Sequence, residues 1–313
     1  MSGSKVPEMV EVLSQDSPTR EQALRLILSG ATHSGPDVDG RIRLLQDSAS
    51  ARGLNLDLLV VASRGKQLTA ACLAIESPGR SAIVHLSPTY AMHPGHNSSV
   101  GVLRELQDQA WQRGIVVLQA MVTPEETHLE RVLSEAGFRF LAELIYAERP
   151  REAPTPERHR LPKLELLTYS PQRHALFLRG LEQTYTESLD CADLNGVRRT
   201  EDILATHRAA GRHDPSLWFL ARLGGETAGL LLLSPSPHQN ILEVAYMGVV
   251  CRFRRRGVGH TLMHKCNSVM IAHGFAGVTL ALDSVNTPAR ALYRKWGFVE
   301  TDRRRVWIVC RSS

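Results

Sequence analysis

Val249-Val250-Cys251-Arg252-Phe253-Arg254-Arg255-Arg256-Gly257-Val258-Gly259-His260-Thr261-Leu262-Met263 is the stretch on which the reading of this 313-residue chain turns. It joins an apolar run, Ile241 to Val250, to a helix-like run, Thr261 to His273. Two glycines two apart at a strand-to-helix turn let backbone approach a ligand closely. The N–H groups of a first helical turn have no partner inside the helix and are free to point at anionic oxygens. The stretch therefore reads as an anion cradle with three arginines beside it.

The charge distribution agrees. Residues 1–162 hold 17 Lys/Arg against 19 Asp/Glu, a net −2, and residues 163–313 hold 20 against 13, a net +7. The cradle lies in the basic half, which suits a polyanion, whether nucleic acid or a nucleotide cofactor. The five cysteines are odd in number, far apart and form no C-x-x-C pair, so neither a disulfide framework nor a zinc site is indicated. The N-terminus shows no basic region followed by an apolar core, and no apolar run approaches the roughly 18 residues of a membrane helix. The chain reads as a soluble cytoplasmic protein with no membrane partner.

Residues 149–163, RPREAPTPERHRLPK, hold four prolines and seven charged residues and read as an inter-domain linker, which bounds domains at 1–150 and 164–313 with 151–163 between them. The two sides repeat at an offset of about 160. Gly114 matches Gly274, Ile115 to Val122 matches Phe275 to Leu282, and Gly137-Phe138 matches Gly297-Phe298. Upstream, residues 58–75 and 217–233 are each an apolar run, a glycine turn and a second apolar run, a hairpin pattern. Each half is expected to run helix (19–29; 174–188), helix (40–52; 201–211), hairpin, strand, long helix, buried strand, short helix and closing strand. Two tandem α/β domains follow, each a mixed, mostly antiparallel sheet flanked by helices.

The copies differ where chemistry would lie. Gly257, Gly259, Arg254, Tyr293 and Glu243 correspond to Asn97, Ser99, Pro94, Leu133 and Ile83. The N-terminal copy keeps the pattern and loses the cradle. Its stretch Met92-His93-Pro94-Gly95-His96-Asn97 sets two histidines three apart, but Pro-Gly between them argues for a loop and no third ligand is indicated, so no metal is expected.

A Rossmann site wants G-x-G-x-x-G and a kinase-type phosphate loop wants G-x-x-x-x-G-K; neither is present. What is present is R-x-x-G-x-G at Arg254, Gly257 and Gly259, followed by Asn286-x-x-Ala289-x-x-Leu292-Tyr293-x-x-x-Gly297-Phe298. These two motifs, in this element order, resemble the GNAT superfamily of N-acetyltransferases. The motifs cover about residues 164–310; residues 19–148 resemble it by element order and the internal repeat. Tandem arrangements with one worn copy occur in that superfamily.

The resemblance implies acetyl-CoA as co-substrate and an amine as acceptor. Arg254, Arg255, Arg256, Gly257, Val258, Gly259, His260 and Thr261 would then grip the pyrophosphate, with Arg254 alone of the arginines on the motif. The arginine run also reads as a solvated basic patch, and the absence of interleaved aromatics argues against nucleic acid. Main-chain groups of Met247 to Val250 would flank the pantetheine arm as an added strand does, with the N–H near Val249 facing the thioester oxygen. Tyr293 occupies the family's position for protonating the departing thiolate. Asn286 would cap its helix, with Pro288 in the first turn, and contact the cofactor.

Glu243 matches the strand position from which family members draw a base, and equally suits a pair with an arginine. Tyr246, three residues on, is placed on the opposite face by strict alternation and read as packing. The acceptor segment, Tyr185 to Arg199, carries Glu187, Asp190 and Asp193, which suit a cationic amine or simply a solvated loop. The function read is acetyl transfer from acetyl-CoA to a primary amine. Acetylation of a small amino-thiol compound and a non-catalytic CoA-sensing or scaffolding role are the alternatives.

Overall fold

The structure is a computed structural model that describes residues 8–29, 37–52, 54–88, 96–157, 161–191, 197–209, 211–236 and 239–311, leaving aside the side chains at 51, 52 and 96. The stretch Met92 to Gly95, where the two-histidine motif begins, and Asp193 lie outside the described residues. Among the described residues no group of three His, Cys, Asp or Glu is placed to hold a metal ion, and no helix is long and apolar enough to cross a membrane.

In chain order the first half runs β1 (Glu8–Val12), α1 (Arg20–Leu28), α2 (Val38–Arg52), β2 (Leu58–Arg64), β3 (Gln67–Ser77), β4 (Ser81–Leu86), α3 (His96–Gln112), β5 (Val117–Val122), α4 (Thr127–Glu135) and β6 (Arg139–Pro150). The second half runs β7 (Glu165–Thr168), α5 (His174–Tyr185), α6 (Thr200–Ala209), β8 (Trp218–Leu223), β9 (Glu226–Pro235), β10 (Ile241–Val249), α7 (Val258–His273), β11 (Gly277–Asp283), α8 (Thr287–Lys295) and β12 (Val299–Cys310). The repeat is retained in detail: α4 and α8 start 160 residues apart (287 − 127), as do β6 and β12 (299 − 139). Strands β1 and β7 are additions to the expected order. At five and four residues they are too short for periodicity to register.

By contacts the chain forms two compact units, one running to Leu141 and joined by residues from Arg305 on, the other spanning Ala142–Arg304. The division falls inside β6 and β12, away from the proline-rich stretch at 151–163. The sheet of the first unit is ordered β1-β2-β3-β4-β5-β12, with Arg305–Cys310 antiparallel to Val122–Val117. The sheet of the second is ordered β7-β8-β9-β10-β11-β6, with Leu144–Pro150 antiparallel to Asp283–Gly277. The closing strand of each repeat thus completes the other unit's sheet. Within each sheet one pair is parallel, β4–β5 or β10–β11, bridged by the long helix α3 or α7 as a parallel crossover requires.

Both faces of each sheet are covered. Leu58, Val60 and Ala62 of β2 pack with α3 and α4, while Leu59 and Val61 turn to α1. In β9, Leu231 and Leu233 face α7 and α8, and Leu230 and Leu232 face Phe177 and Leu181 of α5. Continuous apolar strands follow from burial on both sides. Arg149, part of the stretch read as a charged linker, is only 2 % exposed. Its Nε donates to the Trp296 carbonyl at 2.6 Å and its Nη2 to that of Ala153 at 2.7 Å.

Candidate active site

Strand β10 pairs with β11 only over Ile241–Glu243 against Gly277–Thr279; beyond this the two strands part, while β11 stays paired to β6 as far as Asp283. The parting opens a cavity of about 840 Å³ within the second unit, walled by residues 244–249 of β10, 280–282 of β11, α5, α6, the cradle and α8. A β-bulge between Val244 and Tyr246 reshapes the β10 wall. Glu243 sits across from Ser234 and Tyr246 across from Leu232, two residues apart on β9, so Glu243 and Tyr246 share a face. The extra residue overturns the opposite-face reading of Tyr246 that strict alternation gives.

At one end of the cavity α7 begins at Gly257, whose φ of 81° lies in the left-handed region that glycine enters without penalty. Among the described residues no side chain caps this helix start, and the first intrahelical amide is Thr261, donating to the Gly257 carbonyl. Gly259, His260 and Arg255 line the cavity, and Lys295 of α8 joins them. The Nδ1 of His260 accepts from the Trp296 indole at 3.1 Å, which leaves Nε2 to carry the ring proton; burial and Lys295 lower its pKa.

Arg254 lines the same end but its guanidinium is engaged. It donates to the carbonyls of Val249 (3.0 Å), Glu187 (2.7 Å), Thr186 (2.8 Å) and Thr184 (3.4 Å), gathering the end of β10 to the C-terminus of α5, where a cation suits the helix dipole. Four of the sequence-derived cofactor residues fall off the cavity wall. Val258 is core, Val250 donates its N–H to Ala228, Thr261 gives its hydroxyl to the Gly257 and Pro162 carbonyls, and exposed Arg256 lies over the Phe253 ring. Arg252, two residues before Arg254, pairs with Glu226.

In the first unit the matching helix start carries Ser98 and Ser99, both fully buried. The carboxylate of Glu8 accepts from the Ser98 hydroxyl and, at 3.0 Å, from that of Thr69. That helix start is already furnished with an anion from its own chain.

Elsewhere on the wall, Asn286 accepts the Ala289 N–H at 3.2 Å and so caps α8, which presents Tyr293 to the cavity. Tyr293 is 8 % exposed, edge-on to Phe298, and burial pushes its phenol well up, helped by Asp190. Tyr246 folds back along β10 so that its hydroxyl meets Thr184 Oγ1 at 2.8 Å. A Cβ on Gly248 would come within 2.5 Å of that hydroxyl, so only glycine fits there. His207 of α6 lies against the Tyr246 ring; burial and the charge of Arg198 lower its pKa to about 4.

Of the two sequence-derived catalytic residues, Tyr293 faces the cavity. Glu243 sits at the last paired position before the strands part, off the cavity wall and within electrostatic reach of Tyr146. Met247, Val249, Arg254, Arg255, Gly257, Gly259, His260 and Asn286 join Tyr293 around one space. The sequence reading passed over Lys295, His207 and Tyr185, and it left Asp190 as an undecided loop acid. Lys295, at the fourth position beyond Ala291 on a capped helix, was open to a helical-spacing argument; the others depend on tertiary placement.

Residues 181–298 match the acetyltransferase (GNAT) family. Through this segment, which carries the cradle, β10, β11 and α8, the chain is similar to the acetyltransferases of that family. Over its length it is 27 % identical, across 94 % of both chains, to the mycothiol acetyltransferase of Streptomyces bingchenggensis (strain BCW-1). Its fold matches a GCN5-related N-acetyltransferase from Sphaerobacter thermophilus, with a TM-score of 0.65 at 18 % identity over 97 % and 95 % of the two chains. It also matches a tandem GNAT protein from the clavulanic acid biosynthesis pathway, with a TM-score of 0.55 at 14 % identity over 98 % and 99 %.

Proposed function

We propose that this chain is an acetyl-CoA-dependent N-acetyltransferase acting on a primary amine. The observation that carries the reading is one continuous space lined by an uncapped helix N-terminus, the unpaired edge of β10 and Tyr293. The chain's groups fit the co-substrate: first-turn amides with Arg255 and Lys295 would hold the pyrophosphate, and the open edge of β10 would flank the pantetheine arm. Arg254 belongs to that grip as its scaffold, through the carbonyls it gathers. Bound acetyl-CoA supplies an acetyl group activated as a thioester.

The chain then excludes water around the thioester, orients the amine, and provides from Tyr293 a phenol that burial keeps protonated and ready to donate to the departing sulfur. On this reading the site lies in the 164–313 half, and the 1–150 half is a copy without one. Tyr293 facing the cavity favours turnover over mere CoA sensing. Full-length similarity to a mycothiol acetyltransferase supports a small amino-thiol compound as one acceptor worth testing.

Thermal shift with acetyl-CoA, CoA, ATP and duplex DNA, followed by free-thiol release with a panel of small primary amines, tests the proposal. Stabilisation by acetyl-CoA, and its loss in Gly257→Val, are expected, because a β-branched residue at φ 81° distorts the helix start. Stabilisation by ATP or DNA without a response to CoA overturns the reading.

A further inference from the structure

We infer that Asp190 receives the acceptor's ammonium group and takes its first proton, an inference that rests on the transfer reading above. Asp190 follows α5 and lines the cavity. Its Oδ1 accepts the main-chain N–H of Asp283 at 2.9 Å, and the Oδ2 of Asp283 accepts the N–H of Cys191 at 3.2 Å. This reciprocal clasp pins the loop to the end of β11. The Asp283 carboxylate is 5 % exposed and spent on the N–H groups of Cys191 and Val285. Oδ2 of Asp190 carries no hydrogen bond, and no Lys or Arg pairs with this carboxylate, among the described residues.

The surroundings call for a cation. Burial raises the Asp190 pKa, and the negative charge of Asp283 raises it further, against the Asp283 N–H bond that lowers it. Asp190 in turn raises the hydroxyls of Tyr185 on α5, Tyr246 on β10 and Tyr293 on α8, so it lies within electrostatic reach of the phenol assigned to the leaving group. An ammonium there satisfies Oδ2 and removes the cost of a half-buried charge. Farther along the wall, Nε2 of His207 is buried with no hydrogen-bond partner among the described residues, a second polar atom left for a ligand. The acceptor class is a small primary amine that also carries a hydrogen-bonding group.

The proton balance closes. The ammonium gives one proton to Asp190, which passes it to solvent, and the neutral amine forms the C–N bond. As the C–S bond breaks, Tyr293 protonates the sulfur and recovers the amine's second proton. The products are the amide, the free thiol and one proton.

The test uses the full chain with saturating acetyl-CoA and ethanolamine, glucosamine and tyramine as probes, read as thiol release over pH. Asp190→Asn keeps the Oδ1 acceptor for Asp283. It is expected to lower kcat/KM for the accepted amine roughly 100-fold, with the acetyl-CoA Kd unchanged within about threefold. The acid limb of wild-type kcat/KM is expected above the ordinary carboxylate range, absent in Asp190→Asn and restored in Asp190→Glu. Asp190→Asn with wild-type kcat/KM, or an acid limb removed by Glu243→Gln and kept in Asp190→Asn, overturns the inference alone. Thiol release from wild type with none of the amines overturns amine transfer itself, and the inference with it.

Discussion

Tyr293 shows what a single residue gains from its place. On an exposed helix a phenol is one polar group among many, whereas here it is buried beside Phe298 and faces the cavity. Tyr293→Phe keeps the ring and its packing and removes the proton. The expected outcome is a kcat lower by about 100-fold, with acetyl-CoA binding by calorimetry unchanged within about threefold and the Tm of the free protein held. A wild-type kcat in the variant takes Tyr293 out of the chemistry. The positions of Tyr293, Gly257 and Asn286 were legible because each is marked locally: a fixed spacing, a helix start, a cap. Asp190 was not. In Thr186-Glu187-Ser188-Leu189-Asp190 the acids look solvent-facing, and only the end of β11, some ninety residues later, buries one of them. The carbonyl partners of Arg254 on Thr184, Thr186 and Glu187 were hidden for the same reason, since they lie far away in sequence.

At the scale of elements, the site depends on where pairing stops. A period of two in Ile241 to Val249 identifies a strand but carries no mark of the third residue as the last to pair with β11, nor of a bulge at Ala245. That single extra residue moves Tyr246 to the face of Thr184 and His207. The helices, by contrast, were read closely, because caps and apolar spacing are written in adjacent residues. Elements also depend on groups that sequence assigns elsewhere. Arg149 ties β6 to the C-terminus of α8 through the Trp296 carbonyl and to the following turn through Ala153 and Thr155. Arg149→Met preserves much of the bulk but leaves buried carbonyls without donors. The expected loss is roughly 2–4 kcal/mol, seen as a Tm drop of about 5–12 °C. A Tm within about 1 °C of wild type would show that water replaces the guanidinium without cost.

At the scale of the whole molecule, the tandem α/β architecture was legible from the offset of 160, and the exchange of closing strands was not. The two repeats present closing strands of equal length at equal positions, and a strand's alternation fixes its faces without naming its neighbour. Deleting residues 305–313 is expected to strip the first unit of its last strand. Hydrogen exchange would then show lost protection at Val117–Val122, while the acetyl-CoA thermal shift persists, since the cavity lies in the second unit. Full protection of Val117–Val122 in the truncated chain contradicts the pairing.

The exchanged strand also sets a timetable for biosynthesis. Between Val122 and Arg305 the ribosome must add 183 residues (305 − 122) before β5 can meet its partner. At about 5–20 residues per second that is on the order of ten to forty seconds, during which the nascent first repeat carries an open, apolar sheet edge. Such an edge is a template for pairing with a neighbouring chain, so the demand for chaperones falls on the first repeat.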